Sequence, residues 1–397
     1  MKLNRHNTVW KGYMTGKRLL AAFLGASLLL SGCGPAGGSQ GAFDASSEEN
    51  GKLKVAVTLF PYYDFVRQIA GDQVDLQMVI PAGMDSHSFE PTPADIRTIQ
   101  HADVLISNGG TMEHWLEDTL GALDTSNMTI VTMMDYVDTV EEEIVEGMED
   151  AGHDHDHAHS HAAADDHDHS HETPEEHAAH AQEADDHDHS GETPEEHAAH
   201  AQEADDHDHS DYVDHDGHEE AIEYDEHIWT SPVNAMKLVD VIGETLAEAD
   251  PAHAEVFRQG AADYKKELEE IDAGFREVSR NRKRNMIVMG DKFPFRYLAD
   301  EYQLDYRAAF SGCSSDTEPS AKTIAYLIDK VKEEQIPVVY YLELSSHRVS
   351  EIIGEETGAE PLLLHSCHNV TRAQFDAGIT YAGLMRQNIE NLRKGID

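Results

Sequence analysis

Histidine is the residue type in this sequence with the greatest capacity for chemistry. The 397 residues include 27 His, and 18 of these fall between positions 153 and 218. Neutral imidazole binds zinc, copper and nickel, and closely spaced His-Asp-His triplets offer several ligands to one ion. The tract therefore predicts a low-affinity metal-binding loop of high capacity and modest selectivity. We assign to this loop His153, His155, His157, His159, His167, His169, His187, His189, His207 and His209.

The histidine tract contains an internal repeat. The sequence ETPEEHAAHAQEADDHDHS occupies residues 172–190 and recurs without change at residues 192–210. Its apolar content is too low to offset the entropy lost on ordering, so we expect the tract to be disordered without metal. The alternative is a solvated acidic linker, enlarged by repeat expansion, whose histidines are incidental.

Of the nine histidines outside the tract, His87 and His227 stand out, in segments that we expect to be ordered. His87 follows a predicted strand and precedes a helix that Thr92 is expected to cap. Open α/β sheets bind ligands at the carboxyl ends of their strands, which is where His87 falls. His227 stands where the tract ends and order resumes. A single loop histidine is more often a surface residue than a ligand, so neither position is decisive alone.

The net charge excludes one large class of partner. Lys and Arg total 29 and Asp and Glu total 77, which gives a formal net charge of −48. Nucleic-acid binding requires a basic patch, so we expect no nucleic-acid partner. Residues 141–226 hold 33 of the acidic residues and no Lys or Arg, and the remainder is a moderately acidic globular protein.

The N-terminus is typical of a secretory signal. A basic segment precedes the apolar run 19–30, which is shorter than the about 20 residues that a membrane span needs. The residues LSGC at 30–33 resemble a bacterial lipobox, which implies cleavage before Cys33 and a diacylglycerol on its thiol. We expect a signal peptide at 1–32 and a flexible tether at 33–51, with the mature protein on the outer face of the cytoplasmic membrane. An ordinary signal peptide with a chance cysteine is the alternative.

Strands alternate with helices along the rest of the chain, which predicts mainly parallel sheets flanked by helices. We expect an N-terminal lobe at 52–232 that contains a disordered insert at 141–222, connecting helices at 233–283, and a C-terminal lobe at 284–397. A helical run at 251–282 would extend about 45 Å and is interpreted as a long rigid connector. Strands are expected near residues 52–60, 74–80, 104–106, 128–133, 286–289, 306–310, 338–342 and 362–364, and the last helix at 373–394.

Two cysteines remain beyond the lipobox, Cys313 and Cys367. An extracytoplasmic setting favours their oxidation, and both fall near the ends of predicted strands in the C-terminal half. We expect them to pair, although the sequence alone does not establish the bond.

Several of these segments together resemble a known family. Residues 87–95 (HSFEPTPAD), 225–229 (DEHIW), 318–320 (EPS) and the terminal Thr380-Tyr381 are similar to the metal-binding lipoproteins of ABC transporters that take up zinc or manganese. The histidine-rich insert before the His-x-Trp motif resembles the zinc-specific members. The resemblance implies two α/β lobes joined by a long rigid helix, with one metal in the cleft. It also implies a monomer that passes the metal to an ABC permease and its ATPase.

The resemblance carries over to ligands residue by residue. His87 matches the histidine of the first lobe, and His227 the second histidine of the family. The third family histidine is absent, because residues 290–293 read GDKF; Asp291 is the nearest residue able to bind zinc, although Lys292 or Arg296 could pair with it instead.

The fourth family position falls within residues 364–368 (LHSCH). His365 aligns best there, and His368 is the alternative. The expected ligands are therefore His87, His227 and His365, with Asp291. Glu90 is expected to orient a ligand histidine. Glu343 lies near the expected cleft, where pairing with an arginine is favoured over ligation.

The leading functional hypothesis is a solute-binding receptor that captures Zn(II) for a transporter. A shell of three imidazoles and one carboxylate suits zinc, whereas manganese prefers more oxygen ligands. The alternatives are a surface zinc reservoir or adhesin-like lipoprotein dominated by the tract, and a manganese-binding receptor. The sequence has no HExxH helix and no GxSxG elbow, so we expect no enzymatic activity.

Overall fold

The structure is a computed structural model that describes residue 43 and residues 51–148, 223–314 and 318–397. The signal peptide, the tether with Cys33, and the histidine repeats lie outside these residues. No helix of the described ranges is both long and apolar enough to cross a membrane. The predicted fold class is confirmed: two parallel sheets, each flanked by helices, define a first and a second lobe.

The first lobe is built on a four-stranded parallel sheet with the order β2-β1-β3-β4. Short runs of β-branched and aliphatic residues form these strands, and all residues of β3 are buried. Because every strand points the same way, the loops at their carboxyl ends emerge at one edge of the sheet. Its elements are β1 (Leu53–Val57), α1 (Phe60–Ala70), β2 (Val74–Met78), α2 (Pro93–Gln100), β3 (Val104–Ser107), α3 (His114–Gly121) and β4 (Thr129–Thr132).

The second lobe repeats this arrangement with the strand order β6-β5-β7-β8, again all parallel. Strand β5 is longer than the sequence predicts, and its pairing with β6 shifts register between Met289 and Lys292. Its elements are β5 (Met286–Phe293), α6 (Arg296–Tyr302), β6 (Asp305–Ser311), α7 (Ala321–Glu333), β7 (Val338–Tyr341), α8 (Arg348–Thr357), β8 (Glu360–Leu363), α9 (Arg372–Asp376) and α10 (Tyr381–Ile396). Helices α4 (Pro232–Ala249) and α5 (Ala254–Asn281) connect the lobes.

The expected long helix is α5, whose 28 residues span about 42 Å. Its buried side chains recur at three- and four-residue intervals, as in an amphipathic helix. It packs against α1 of the first lobe and against α6 and α10 of the second. A Cβ at Gly260 would come within 2.1 Å of the Ile69 carbonyl oxygen, so glycine is what permits the close approach of α5 to α1.

Buried hydrogen bonds also join the lobes directly. Asp64 on α1 is fully buried and accepts the backbone N–H of Tyr381 at 2.6 Å. Arg67 donates to the Ile379 carbonyl at 2.6 Å. The indole N–H of Trp229 donates to the Ser366 carbonyl at 2.8 Å. These bonds and α5 together hold the two sheets at a defined separation.

Residues 141–148, at the start of the expected insert, lie in the described part of the chain, and the first of them pair with the segment that begins at residue 223. The backbone N–H of Glu142 donates to the Glu223 carbonyl at 2.9 Å, and that of Asp225 to the Val140 carbonyl at 2.9 Å. The Glu142 side chain accepts the Cys313 N–H at 2.8 Å. Residues 140–142 and 223–225 therefore lie side by side, against the second lobe.

The prediction of a single C-terminal helix at 373–394 is wrong, because two helices, α9 and α10, occupy this region. Gly378, between them, has a φ of 72°, which a continuing helix does not allow. Thr380 then starts α10 by accepting the backbone N–H of Gly383.

The expected pairing of Cys313 with Cys367 is also wrong, because both cysteines are free. Cys313 follows β6 and Cys367 follows β8, and these strands lie at opposite edges of the second sheet. Three strand spacings, about 14 Å, separate these two strands. A disulfide needs Cα atoms within about 7 Å, so the order of the strands works against the bond.

Candidate metal centre

Three imidazoles meet between the lobes: His87, His227 and His368. Each offers one ring nitrogen, and the three nitrogens lie within 4.8 Å of one another. The ring centroids of His87 and His227 are 6.0 Å apart, and that of His368 lies 5.6 Å from each. The three residues come from the loop after β2, the segment before α4 and the loop after β8, so the fold rather than local sequence brings them together.

The loop that carries His87 is held from both lobes. Asp85 accepts the backbone N–H of His87 at 3.0 Å. Asn369, in the second lobe, donates its amide hydrogens to the carbonyls of Pro81 and Met84 at 2.9 and 2.7 Å. One side chain beyond β8 thus fixes the start of the first-lobe loop.

His227 is almost fully buried and is oriented by Asp225. One carboxylate oxygen of Asp225 accepts the His227 backbone N–H at 2.8 Å and lies 3.2 Å from its Nδ1. A proton on Nδ1 directed at this carboxylate leaves the Nε2 lone pair available to a metal, the usual arrangement around zinc. Glu226 anchors the same segment by accepting the backbone N–H of Met112 at 2.8 Å.

The second-lobe histidine in the cluster is His368, not His365 as alignment indicates. The backbone N–H and carbonyl of His365 are both bonded to the Asn388 side chain on α10. Its Nδ1 accepts the Cys367 N–H at 3.0 Å, so the ring turns into the second lobe. Cys367 then adopts a left-handed φ of 61°, which redirects the chain and brings His368 into the cleft. The His368 Nε2 hydrogen-bonds the Ser86 hydroxyl of the first lobe.

The carboxylates expected near the metal lie around the cluster rather than in it. Asp291 lines the same cavity, but its two oxygens accept the backbone N–H groups of Lys292 at 2.9 Å and Leu342 at 3.4 Å. Glu343 does not pair with an arginine in the described part of the chain, and it accepts both the N–H and the hydroxyl of Ser366 at 2.9 and 2.6 Å. It therefore shapes the loop that carries His368. Glu90 is exposed, and none of its contacts in the described ranges orients a histidine.

The electrostatics keep His87 and His368 neutral. Burial, and then the nearby positive charge of a protonated His227, lower the pKa of His87 to about 4. Burial lowers the pKa of His368 well below its usual value, and His227, His87 and Lys292 add to the effect. Adjacent imidazoles cannot all be charged, and a neutral imidazole is the form that binds metal.

The cluster faces a cavity of about 250 Å³ lined by both lobes. One lining residue that the sequence does not signal is Gly312, directly after β6. A Cβ there would lie 3.1 Å from an Asp225 carboxylate oxygen and 3.3 Å from Cε1 of His227. The roles of Gly312 and Asn369 depend on contacts between separate loops, so no spacing within one segment could have indicated them. Asp225 stands two residues before His227, and that short spacing is the one signal the sequence offers for it.

These features define a two-lobed solute-binding protein with a candidate metal centre in its cleft. They are the two parallel sheets, the long connecting helix and the imidazoles between the lobes. The chain belongs to the family described as ZnuA, zinc-uptake complex component A, periplasmic, whose family model matches residues 55–395.

Individual relatives agree with this membership. The chain is 31% identical over 347 residues to the zinc-binding protein AdcA of Streptococcus pyogenes; the match covers 87% of this chain and 56% of AdcA, so the chain spans about half the length of that relative. It is 26% identical over 369 residues to the high-affinity zinc uptake system protein ZnuA of Bacillus subtilis, covering 93% and 94% of the two chains. The crystal structure of the Zn(II)-bound ZnuA-like domain of Streptococcus pneumoniae AdcA superposes with a TM-score of 0.59 at 25% identity, covering 87% of this chain and 100% of that one.

Proposed function

We propose that this protein captures Zn(II) in the cleft between its lobes and delivers it to an ABC transporter for zinc uptake. The observation that carries the proposal is the convergence of His87, His227 and His368, whose ring nitrogens lie within 4.8 Å of one another. The names of the relatives, which are zinc-binding and zinc-uptake proteins, support the same conclusion.

The chemistry of the cluster favours zinc as the cargo. Three imidazole nitrogens at about 2.0–2.1 Å satisfy three positions of a tetrahedral zinc ion. Manganese prefers carboxylate, carbonyl and water oxygens, and the nearby carboxylates of Asp291 and Glu343 are engaged by N–H and O–H donors. The metal would bind as transported cargo.

The partners and location follow from the family and from the N-terminal sequence. A periplasmic uptake component works outside the cytoplasmic membrane and needs a permease, and a cytoplasmic ATPase to drive it. We propose that the protein acts as a monomer, tethered to the outer face of the bacterial cytoplasmic membrane through a lipid on Cys33. The histidine-rich tract would then serve as a low-affinity metal store.

A competition titration with matched histidine variants tests the proposal. In the full chain, a chelator strong enough to strip the tract should leave one tight zinc site. His227→Ala and His368→Ala should abolish that site, because each removes one of three ligands. His101→Ala is the control, since His101 is exposed and lies at the end of α2. Unchanged tight binding in both cleft variants would refute the assignment.

A further inference from the structure

We propose that the cleft takes up zinc together with a small monovalent anion, such as chloride or a carboxylate, which fills the fourth coordination position of the ion and is held by the ammonium group of Lys292. This inference rests on the proposed function, because it concerns the same cleft and the same three imidazoles.

The first observation is an incomplete ligand set. Tetrahedral zinc takes four ligands, and in the described ranges only His87, His227 and His368 bring ligand atoms within 4.8 Å of one another. Three carboxylates line the cavity, and each is bonded elsewhere. Asp85 accepts the N–H of His87, Asp291 accepts two backbone N–H groups, and Glu343 accepts both groups of Ser366. These carboxylates therefore compete only weakly with a ligand from solution for the fourth position on the zinc ion.

The second observation is a lysine beside the open position. Lys292 lines the cavity with the three imidazoles, and its charge acts on both His87 and His368. It makes no ion pair with Asp291, and none of the ion pairs or side-chain hydrogen bonds in the described part of the chain involves its ammonium group. A half-buried cation beside a divalent metal is unfavourable unless an anion lies between them.

The third observation is space. The cavity of about 250 Å³ is far larger than the about 30 Å³ that one water occupies in the liquid. An anion between zinc and Lys292 would share its charge with both cations. Zinc and the anion should therefore bind cooperatively, and each should tighten the other by the same factor, on the order of tenfold.

Zinc affinity measured against anion concentration tests the inference. The full chain, loaded with one equivalent of metal, would be titrated with sodium chloride or sodium acetate, using sodium perchlorate to keep the ionic strength constant. We expect zinc affinity to rise about tenfold with either anion. Cobalt(II) in place of zinc should show changed visible bands as the anion binds. The full-length His227→Ala variant, which keeps the tract but lacks a cleft ligand, measures how much zinc the tract itself binds under these conditions.

Lys292→Met should remove most of this anion dependence, whereas Lys292→Arg should retain it. Lys322→Met, at an exposed position on α7, is the matched control. Tighter zinc binding by Lys292→Met at every anion concentration would overturn the inference, because the lysine would then act only by repulsion.

Anion-independent binding that becomes anion-dependent in Asp291→Ala would also overturn it, by assigning the fourth position to Asp291. Tight zinc binding with no anion response would defeat this inference and leave the proposed function standing. If the unmodified chain bound zinc no more tightly than His227→Ala does, the proposed function itself would be defeated.

Discussion

At the scale of single residues, the site depends on how each imidazole is oriented, and Asp225 is the clearest example. Its carboxylate contacts both the backbone N–H and Nδ1 of His227, which directs Nε2 towards the cleft. Neither contact places Asp225 among the ligands. Its contribution to metal binding would come entirely through the histidine two residues later.

We predict that Asp225→Asn weakens zinc binding by about 10- to 100-fold, the usual cost of losing a carboxylate that orients a ligand histidine. The amide keeps the size of the side chain but loses the charge that holds the Nδ1 proton. Competition titration measures the effect, with exposed Asp124→Asn as the control. Equal affinities in the two variants would show that Asp225 does not orient the ligand.

The lowered pKa of His87 predicts a pH dependence of folding stability in the metal-free protein. Its folded pKa is about 4, below the ordinary value of 6.5. The unfolded chain therefore binds more protons in this range, and stability should fall as pH drops from about 6.5 to about 4. His87→Gln should flatten this slope, as measured by urea unfolding at several pH values. A slope that the substitution leaves unchanged would contradict the assigned environment.

The sequence could indicate some of these residues but not others. The sequence indicates His87 and His227 because each stands in a contiguous motif, and the structure brings them together. Alignment favours His365 over His368 because it follows position in the chain. The left-handed backbone conformation of Cys367 decides between the two histidines, and a pattern of residue types does not predict it.

At the scale of elements, the relation between α1 and α5 determines how closely the lobes are tied. The helices and strands of both lobes could be predicted largely from apolar periodicity and from a cap such as Thr92. The sequence does not reveal the break between α9 and α10, because the segment around Gly378 has helical spacing on both sides. The missing disulfide depends on strand order, which neighbouring residues do not encode.

Gly260→Ala should destabilise the protein by about 1–3 kcal/mol, the usual cost of overpacking, because the new Cβ would approach the Ile69 carbonyl. Gly121→Ala on α3 is the matched control. Its Cβ meets nothing within 4 Å, so it should be neutral or stabilise by up to about 1 kcal/mol. Urea unfolding compares the two variants. Equal stability would show that α5 does not pack against α1 at this glycine.

At the scale of the whole molecule, the described lobes and their cleft are complete without the histidine tract. Backbone hydrogen bonds join Glu142 to Glu223 and Asp225 to Val140, in the described segments on either side of the tract. The sheets, α5 and the imidazole cluster are all built from residues outside it. The net charge of −48 is concentrated in the insert and its flanks, so it describes the insert more than the lobes.

Deletion of residues 153–218 should therefore leave one tight zinc site, while the total zinc capacity falls. Calorimetric titration of the deleted chain measures both quantities, and His227→Ala in the same background shows whether the remaining site is the cleft. Loss of all tight binding on deletion would favour a zinc reservoir dominated by the tract.

The central claim is that His87, His227 and His368 converge on one zinc ion. Anomalous scattering at the zinc edge, from crystals of the zinc-loaded protein, tests it most directly. We predict one strong peak between the lobes, with a nitrogen of each of these histidines at about 2.0–2.1 Å. A peak bound by His365 in place of His368, or a cleft without a peak while zinc occupies another site, would contradict the account.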